Sequence, residues 1–218
     1  MNNKIKTYCI ILSVIYAIVV IYTTSDVVDS IKSGYKLGHE TTTTPWYMRT
    51  LHLKVLPRDG LYSFPEKITN TVTGQIVKAE SNYYKIKPDN SIIDIPFYLK
   101  LFKGTLVGLS FVALAAAIYL PFLFFSVVRA ATKGQILEQK IIKKIQRIGC
   151  ILIFYYLMDS FVYLSDYLIS KHVMTFEKYR AVIDFSDFGL LLLGLVTLLM
   201  TEILKVSRQM KEEQDLTI

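Results

Sequence analysis

Cysteine is almost missing from this chain: only Cys9 and Cys150 occur, in no CxxC pair and with no histidine at ligand spacing. A disulfide framework and a cysteine-based metal site are therefore not implied, and both thiols read as small apolar side chains near the start of apolar runs. Histidine is equally sparse. His39, His52 and His172 are scattered and form no HExxH spacing, and His52 falls on the polar face of an expected strand. Neither GxGxxG nor GxxxxGK followed by Ser or Thr occurs, so a nucleotide site has no support. No GxGD sequence is present either, and the two aspartates of the third apolar run share one helix, which disfavours the facing dyad of an aspartyl intramembrane protease. These absences leave no catalytic residue, no metal ligand and no cofactor, and the chain reads as a non-enzyme. Proline and tryptophan are scarce and unevenly spread: five of the six prolines and the only Trp lie between Asp26 and Lys103.

The long stretches that lack charge carry most of the information. Hydrophobic residues make up 52% of the chain and the mean hydropathy is +0.38, which places it among membrane proteins. Four apolar runs are present, Thr7 to Ser25, Gly104 to Val128, Ile148 to Ser170 and Phe188 to Leu204. At ~1.5 Å per residue the first already reaches about 28 Å, enough to cross a bilayer. A cleaved signal peptide competes for that run, but Tyr22-Thr23-Thr24-Ser25 offers no A-x-A-like site. Pro121 is expected to kink the second run, where a neighbouring helix can satisfy the freed carbonyl. Gly104 and Gly108, continued by Ala115, give that run a GxxxG spacing suited to close helix packing, interrupted by Val112.

The formal charge of +7 sits beside these runs. Arg129, Lys133, Lys140, Lys143, Lys144 and Arg147 crowd the connector 129–147 against a single acid, Glu138. Positive-inside topology and anionic inner-leaflet lipids account for that placement, and direct nucleic-acid binding is not expected. The reading is an all-α transmembrane four-helix bundle, both termini cytoplasmic, with a small extracytoplasmic antiparallel β domain between helices 1 and 2. Residues 1–25 are then a cytoplasmic stub and the first span, 26–103 the β domain, 104–128, 148–170 and 188–204 the other spans, 171–187 a short outer loop, and 205–218 a cytoplasmic tail. Leu137, Ile141, Ile145 and Ile148 recur at helical spacing, so the connector is expected to lie as an amphipathic helix on the inner leaflet.

Within 26–103, Thr50, His52 and Lys54 alternate with Leu51, Leu53 and Val55, the period of a half-buried strand. Further strands are expected over Thr71 to Lys78, Tyr83 to Lys87 and Ile92 to Ile95, with turns at Pro57-Arg58-Asp59-Gly60 and Pro88-Asp89-Asn90. The apolar residues are too few for a large core, so this domain is expected to lean on the helix ends and the bilayer surface. Ser186 or Asp184 is placed to cap the last helix.

Asp159, Tyr163 and Asp166 follow i, i+4, i+7 on one helix face, between Tyr155 and Ser170. A carboxylate at mid-bilayer costs ~2.5–3.5 kcal/mol on insertion scales, so this stripe is expected to face the bundle. No Lys or Arg lies deep in another span, which leaves Asp159 without an obvious cationic partner; Asp166 and Glu202 lie nearer the interfaces, where water is available. The stripe is either a polar clamp between helices or a proton, cation or ligand site. A second candidate surface, for a cytosolic protein partner, comprises Lys140, Lys143, Lys144, Arg147, Glu202, Glu212, Glu213 and Asp215.

Gly134-Gln135-Ile136-Leu137, the basic helix ending Arg147-Ile148-Gly149, and the ending from Glu202 through Glu212-Glu213-Gln214-Asp215-Leu216-Thr217-Ile218 resemble the bacterial membrane family catalogued as domain of unknown function 2975 (DUF 2975), from about Leu106 onwards. Leu137 and Glu138 stand where family members often carry an aromatic residue and then Ser or Thr. The resemblance implies a four-span protein with no assigned activity, often found near small helix-turn-helix regulators, and a helical Gln209 to Leu216. It supplies no catalytic residue. The expected function is sensing or signalling through protein contacts, with such a regulator as candidate partner. The alternative is a small proton- or ion-coupled carrier using Asp159. Anionic lipid held between the spans and a second copy of the chain complete the candidate partners.

Overall fold

The structure, a computed structural model, describes Thr7, Ile10, Ile11, 13–15, Ile18, Lys32, Tyr35, Tyr47, 50–60, 63–86, 95–185 and 188–216. The first expected span falls largely outside these residues, although Thr7, Ile10, Ile11, Val14 and Ile18 are helical. The expected strand before Ile95, the turn at Pro88 and the cap at Ser186 also lie outside them.

Strand β1, Leu51–Pro57, follows the alternation of its sequence: Leu51, Leu53 and Val55 are buried and His52 is exposed. Strands β2, Glu66–Thr69, and β3, Ile76–Ala79, form an antiparallel hairpin. The strand expected over Thr71 to Lys78 begins only at Ile76, because Asn70 turns the chain first: its side-chain oxygen accepts the Val72 N–H at 2.9 Å, and Gly74 takes φ 68°. Strand β4, Tyr83–Ile86, pairs antiparallel with β1 from Leu51↔Ile86 to Lys54↔Tyr83. Strand β5, Tyr179–Val182, pairs with the other edge of β1 from Lys54↔Val182 to Pro57↔Tyr179.

The fifth strand corrects the sequence reading twice. Residues 171–187 are not only a loop, and the β domain is not confined to the stretch before the second apolar run. Tyr-Arg-Ala-Val is too short to show an alternation, and its pairing is decided by the open edge of β1.

Three long helices follow the same chain: α1, Phe97–Thr132; α2, Gln139–Val173; and α3, Phe188–Leu216. Each is long and apolar enough to cross a membrane, with window hydropathies of 2.4, 1.6 and 2.0. Pro121 lies inside α1 without ending it. A Schellman motif does end it: Gln135 N–H donates to the Ala130 carbonyl at 2.9 Å, Gly134 N–H to that of Ala131 at 3.1 Å, and Gly134 sits at φ 74°. The basic connector is therefore not a separate helix. From Gln139 it is continuous with the apolar run, so Lys140 to Arg147 project from the first turns of α2.

Two compact units divide the chain. One comprises Thr42–Phe111 and Tyr156–Asp187, the other Met1–Thr41, Val112–Tyr155 and Phe188–Ile218. In the first, Leu51, Leu53 and Val55 of β1 pack with Ile95, Leu99 of α1, Ile169 of α2 and Tyr179 of β5. Strands this short cannot make a core alone, and here the helix ends supply the missing apolar surface, at about 1.5–3 kcal/mol per fully buried aliphatic side chain.

In the second unit α2 and α3 cross at two glycines. A Cβ on Gly194 would stand 2.7 Å from Ile153 Cγ1 and 3.1 Å from the Gly149 carbonyl oxygen, and one on Gly149 would meet Leu198 at 2.9 Å. Close packing falls here rather than on the GxxxG spacing of α1, since a Cβ on Gly108 would meet nothing within 4 Å.

Candidate functional site

Among its described residues, the Thr42–Phe111 and Tyr156–Asp187 unit contains two buried carboxylates, Asp166 and Asp184, and Asp166 is the more deeply buried. Strand β5 reaches β1 only as far as Lys54↔Val182, so the His52 N–H is not paired by it. Asp166 of α2 takes that place: its Oδ2 accepts the His52 N–H at 3.0 Å and its Oδ1 pairs with Lys103 of α1. The two charged side chains are 2% and 15% exposed, so removal of either would leave the other's charge largely out of water. One carboxylate thus ties a strand and two helices together. Beside it Ser170 is buried and donates to the Tyr167 carbonyl at 2.8 Å, while the fully buried Ser165 hydroxyl finds no partner among the described residues.

The expected stripe of Asp159, Tyr163 and Asp166 is corrected by this arrangement. Asp166, assigned to a wet interface, is buried; Asp159, expected to face a bundle interior, is exposed, and Tyr163 is half-buried between them. Helical spacing puts the two acids on one face, but burial is decided by what packs at each level. At Asp166 that is β1 and the start of α1. The partner was missed because Lys103 borders an apolar run and was counted with the water-exposed domain. A cation just before one run and an acid just inside the end of another are the signal that could have found it.

Two further polar clusters hold the sheet. Lys54 Nζ lies 2.8 Å from Asp184 Oδ1, Tyr83 donates to Asp184 Oδ2 at 2.9 Å, and the ammonium stands 5.7 Å from the Tyr83 ring centre. The hydrogen bond to Asp184 holds both the Lys54 ammonium and the Tyr83 phenol above their ordinary pKa ranges. Asp184 is thus bound into this cluster. Tyr84 donates to Glu66 of β2, and burial pushes its phenol up, with that bond adding to the effect. The His52 imidazole is held below its usual value, chiefly by desolvation, with Asp166 pulling in the opposite sense.

The second candidate site lies in the other unit, where the first turns of α2 and the last turns of α3 enclose two adjoining cavities. One, of about 390 Å³, is lined by Lys143, Lys205, Arg208 and Glu212 with the amides of Gln139, Gln146 and Gln209. Its neighbour, of about 630 Å³, is lined by the turn from Gly134, by Lys140, Lys211 and Asp215, and again by Arg208 and Glu212. The surface expected from sequence therefore divides. Lys140, Lys143, Glu212 and Asp215 converge on this groove. Lys144 and Arg147 turn to α1, where Lys144 donates to the Ser126 hydroxyl at 2.5 Å and Arg147 to the Tyr119 hydroxyl at 3.3 Å. Glu202 pairs with Lys205 at 2.7 Å outside the cavity walls, and Glu213 lines neither cavity. Arg208 and Lys205, not singled out from sequence, are central to the groove; their i, i+3 and i, i+4 acids, Glu202 and Glu212, marked them as part of one polar helix face.

No curated protein and no solved structure matches the chain. The family match begins well before Leu106 and takes in all five strands but β1, so most of the sheet and the whole Asp166 node except His52 fall within it. The chain belongs to the family described as "Protein of unknown function (DUF2975)", which matches residues 64–218.

Proposed function

We propose that this chain is a multi-pass protein of a bacterial inner membrane, a four-helix bundle whose β domain lies outside the cytoplasm, which senses or signals through protein contacts and catalyses no reaction. The observation that carries the reading is the wider cavity at the α2–α3 end, whose walls alternate Lys140, Arg208 and Lys211 with Glu138, Glu212 and Asp215. Charges of both signs on an open cleft suit a complementary protein segment, for which they set register and encounter rate. Lys140 and Lys211 hold no anion among the described residues and are free to be matched. Six cations in the short stretch 129–147 support a cytoplasmic position for this end, which makes a small helix-turn-helix regulator a suitable occupant.

A photocrosslinking side chain placed at Asp215 in living cells tests the reading. A discrete protein adduct is expected, lost when Lys140 and Lys211 are both changed to Glu. If no protein is trapped from Asp215 or from Lys140, the contact reading fails.

A further inference from the structure

The smaller cavity is chemically unlike its neighbour. It brings three cations, Lys143, Lys205 and Arg208, against one acid, Glu212, and adds three glutamine amides. Glu212 is already engaged by the Arg208 Nε at 2.7 Å and Lys205 by Glu202 at 2.7 Å. The remaining guanidinium N–H groups of Arg208, the remaining ammonium N–H groups of Lys205 and the whole Lys143 ammonium are donors without an acceptor among the described residues. Such a donor-rich wall with surplus positive charge matches a phosphate, whose oxygens only accept.

The depth of the cavity identifies where a phosphate would come from. The apolar run of α2 starts at Ile148 and that of α3 ends at Leu204, so Gln139 to Gln146 and Lys205 to Glu212 are the first two turns beyond the hydrocarbon on each helix. At ~1.5 Å per residue these turns extend about 12 Å, spanning the headgroup layer of a bilayer. Ile142, 2% exposed, is the one apolar side chain among the described residues of the cavity's lining. We infer that this cavity binds a phosphate group, supplied by the headgroup of an anionic phospholipid. Basic pockets between membrane helices take such headgroups by the same physics. The inference does not depend on the proposed protein contact, which uses the neighbouring cleft.

Native mass spectrometry of the full chain released from nanodiscs of mixed phosphatidylglycerol and phosphatidylcholine is the test. Wild type is expected to retain phosphatidylglycerol over phosphatidylcholine, and Lys143→Gln with Arg208→Gln to reduce the retained anionic lipid about tenfold, as the loss of charged hydrogen bonds to one ligand implies. Lys143 is exposed, so Lys143→Gln alone should leave folding intact and still lower retention, and Lys143→Arg should restore it. Arg129→Gln, a cation outside the cavity, should change nothing. Equilibrium dialysis of the detergent-solubilised chain against labelled inorganic phosphate separates the sources. Phosphate binding that needs Lys143, without selective lipid retention, assigns the cavity to a soluble phosphate and overturns the lipid source. Retention unaffected by both substitutions, with no phosphate binding, overturns the site altogether.

Discussion

At the C-terminal end of α2 the Asp166 side chain is 2% exposed and shared between Lys103 and a strand N–H, whereas at its N-terminal end Lys140 and Lys143 are exposed with no anion among the described residues. Both ends carry charge on the same helix, and the charge has opposite consequences. A buried, matched charge fixes structure, because neither partner can leave without a large penalty. Exposed cations on a cavity wall add little to stability and remain available to a ligand. The contrast gives cohesion to the Asp166 end and leaves the groove as the place for the contacts proposed above.

Four experiments can break or sharpen this division. The largest effect is expected from Asp166→Ala, which strands Lys103 and the His52 N–H together: a loss of about 3–5 kcal/mol, followed as faster hydrogen exchange across β1 in nanodiscs. If Lys143→Ala had a comparable effect on β1, the division would be wrong. Next comes Gly194→Leu, whose side chain must displace Ile153 and the Gly149 carbonyl; we expect about 1–3 kcal/mol of destabilisation and fewer α2–α3 disulfide crosslinks, with Gly108→Leu silent in both assays.

A smaller effect concerns pH. The His52 imidazole has a folded pKa below its ordinary value of 6.5, so the unfolded chain binds the proton more readily. Stability of the β1 domain should therefore be full above pH 6.5 and fall as pH drops below it, and His52→Gln should remove that part of the slope in a proteolysis titration. The smallest effect belongs to Ser165→Ala, which removes a buried hydroxyl without a partner and should leave stability within about 0.5 kcal/mol or raise it. A clear loss would reveal a partner for that hydroxyl.

Much of this was legible in the sequence. Three apolar runs reappear as α1, α2 and α3, since long apolar stretches have few structural alternatives, and the alternation of Leu51, Leu53 and Val55 reappears as the buried face of β1. What escaped was set by partners distant in the chain. Tyr179 to Val182 carries no periodic signal, and pairs because β1 has an open edge. Asp166 was undervalued because its cation lies 63 residues away, on the rim of another helix. The groove was half visible: the cations of 129–147 were evident, but which of them meet the mixed-charge tail depends on the crossing at Gly149 and Gly194, a close approach that neither glycine announces in isolation.

The central claim is that Asp166, not the more conspicuous Asp159, is the carboxylate on which this fold depends. The most direct measurement compares the thermal unfolding of Asp166→Asn and Asp159→Asn side by side in nanodiscs. Asp166→Asn keeps an acceptor for the His52 N–H but leaves Lys103 without its counter-charge, and is expected to lower the midpoint by about 5 °C or more, with Asp159→Asn within about 1 °C of wild type. A larger fall for Asp159→Asn, or none for Asp166→Asn, would contradict the account.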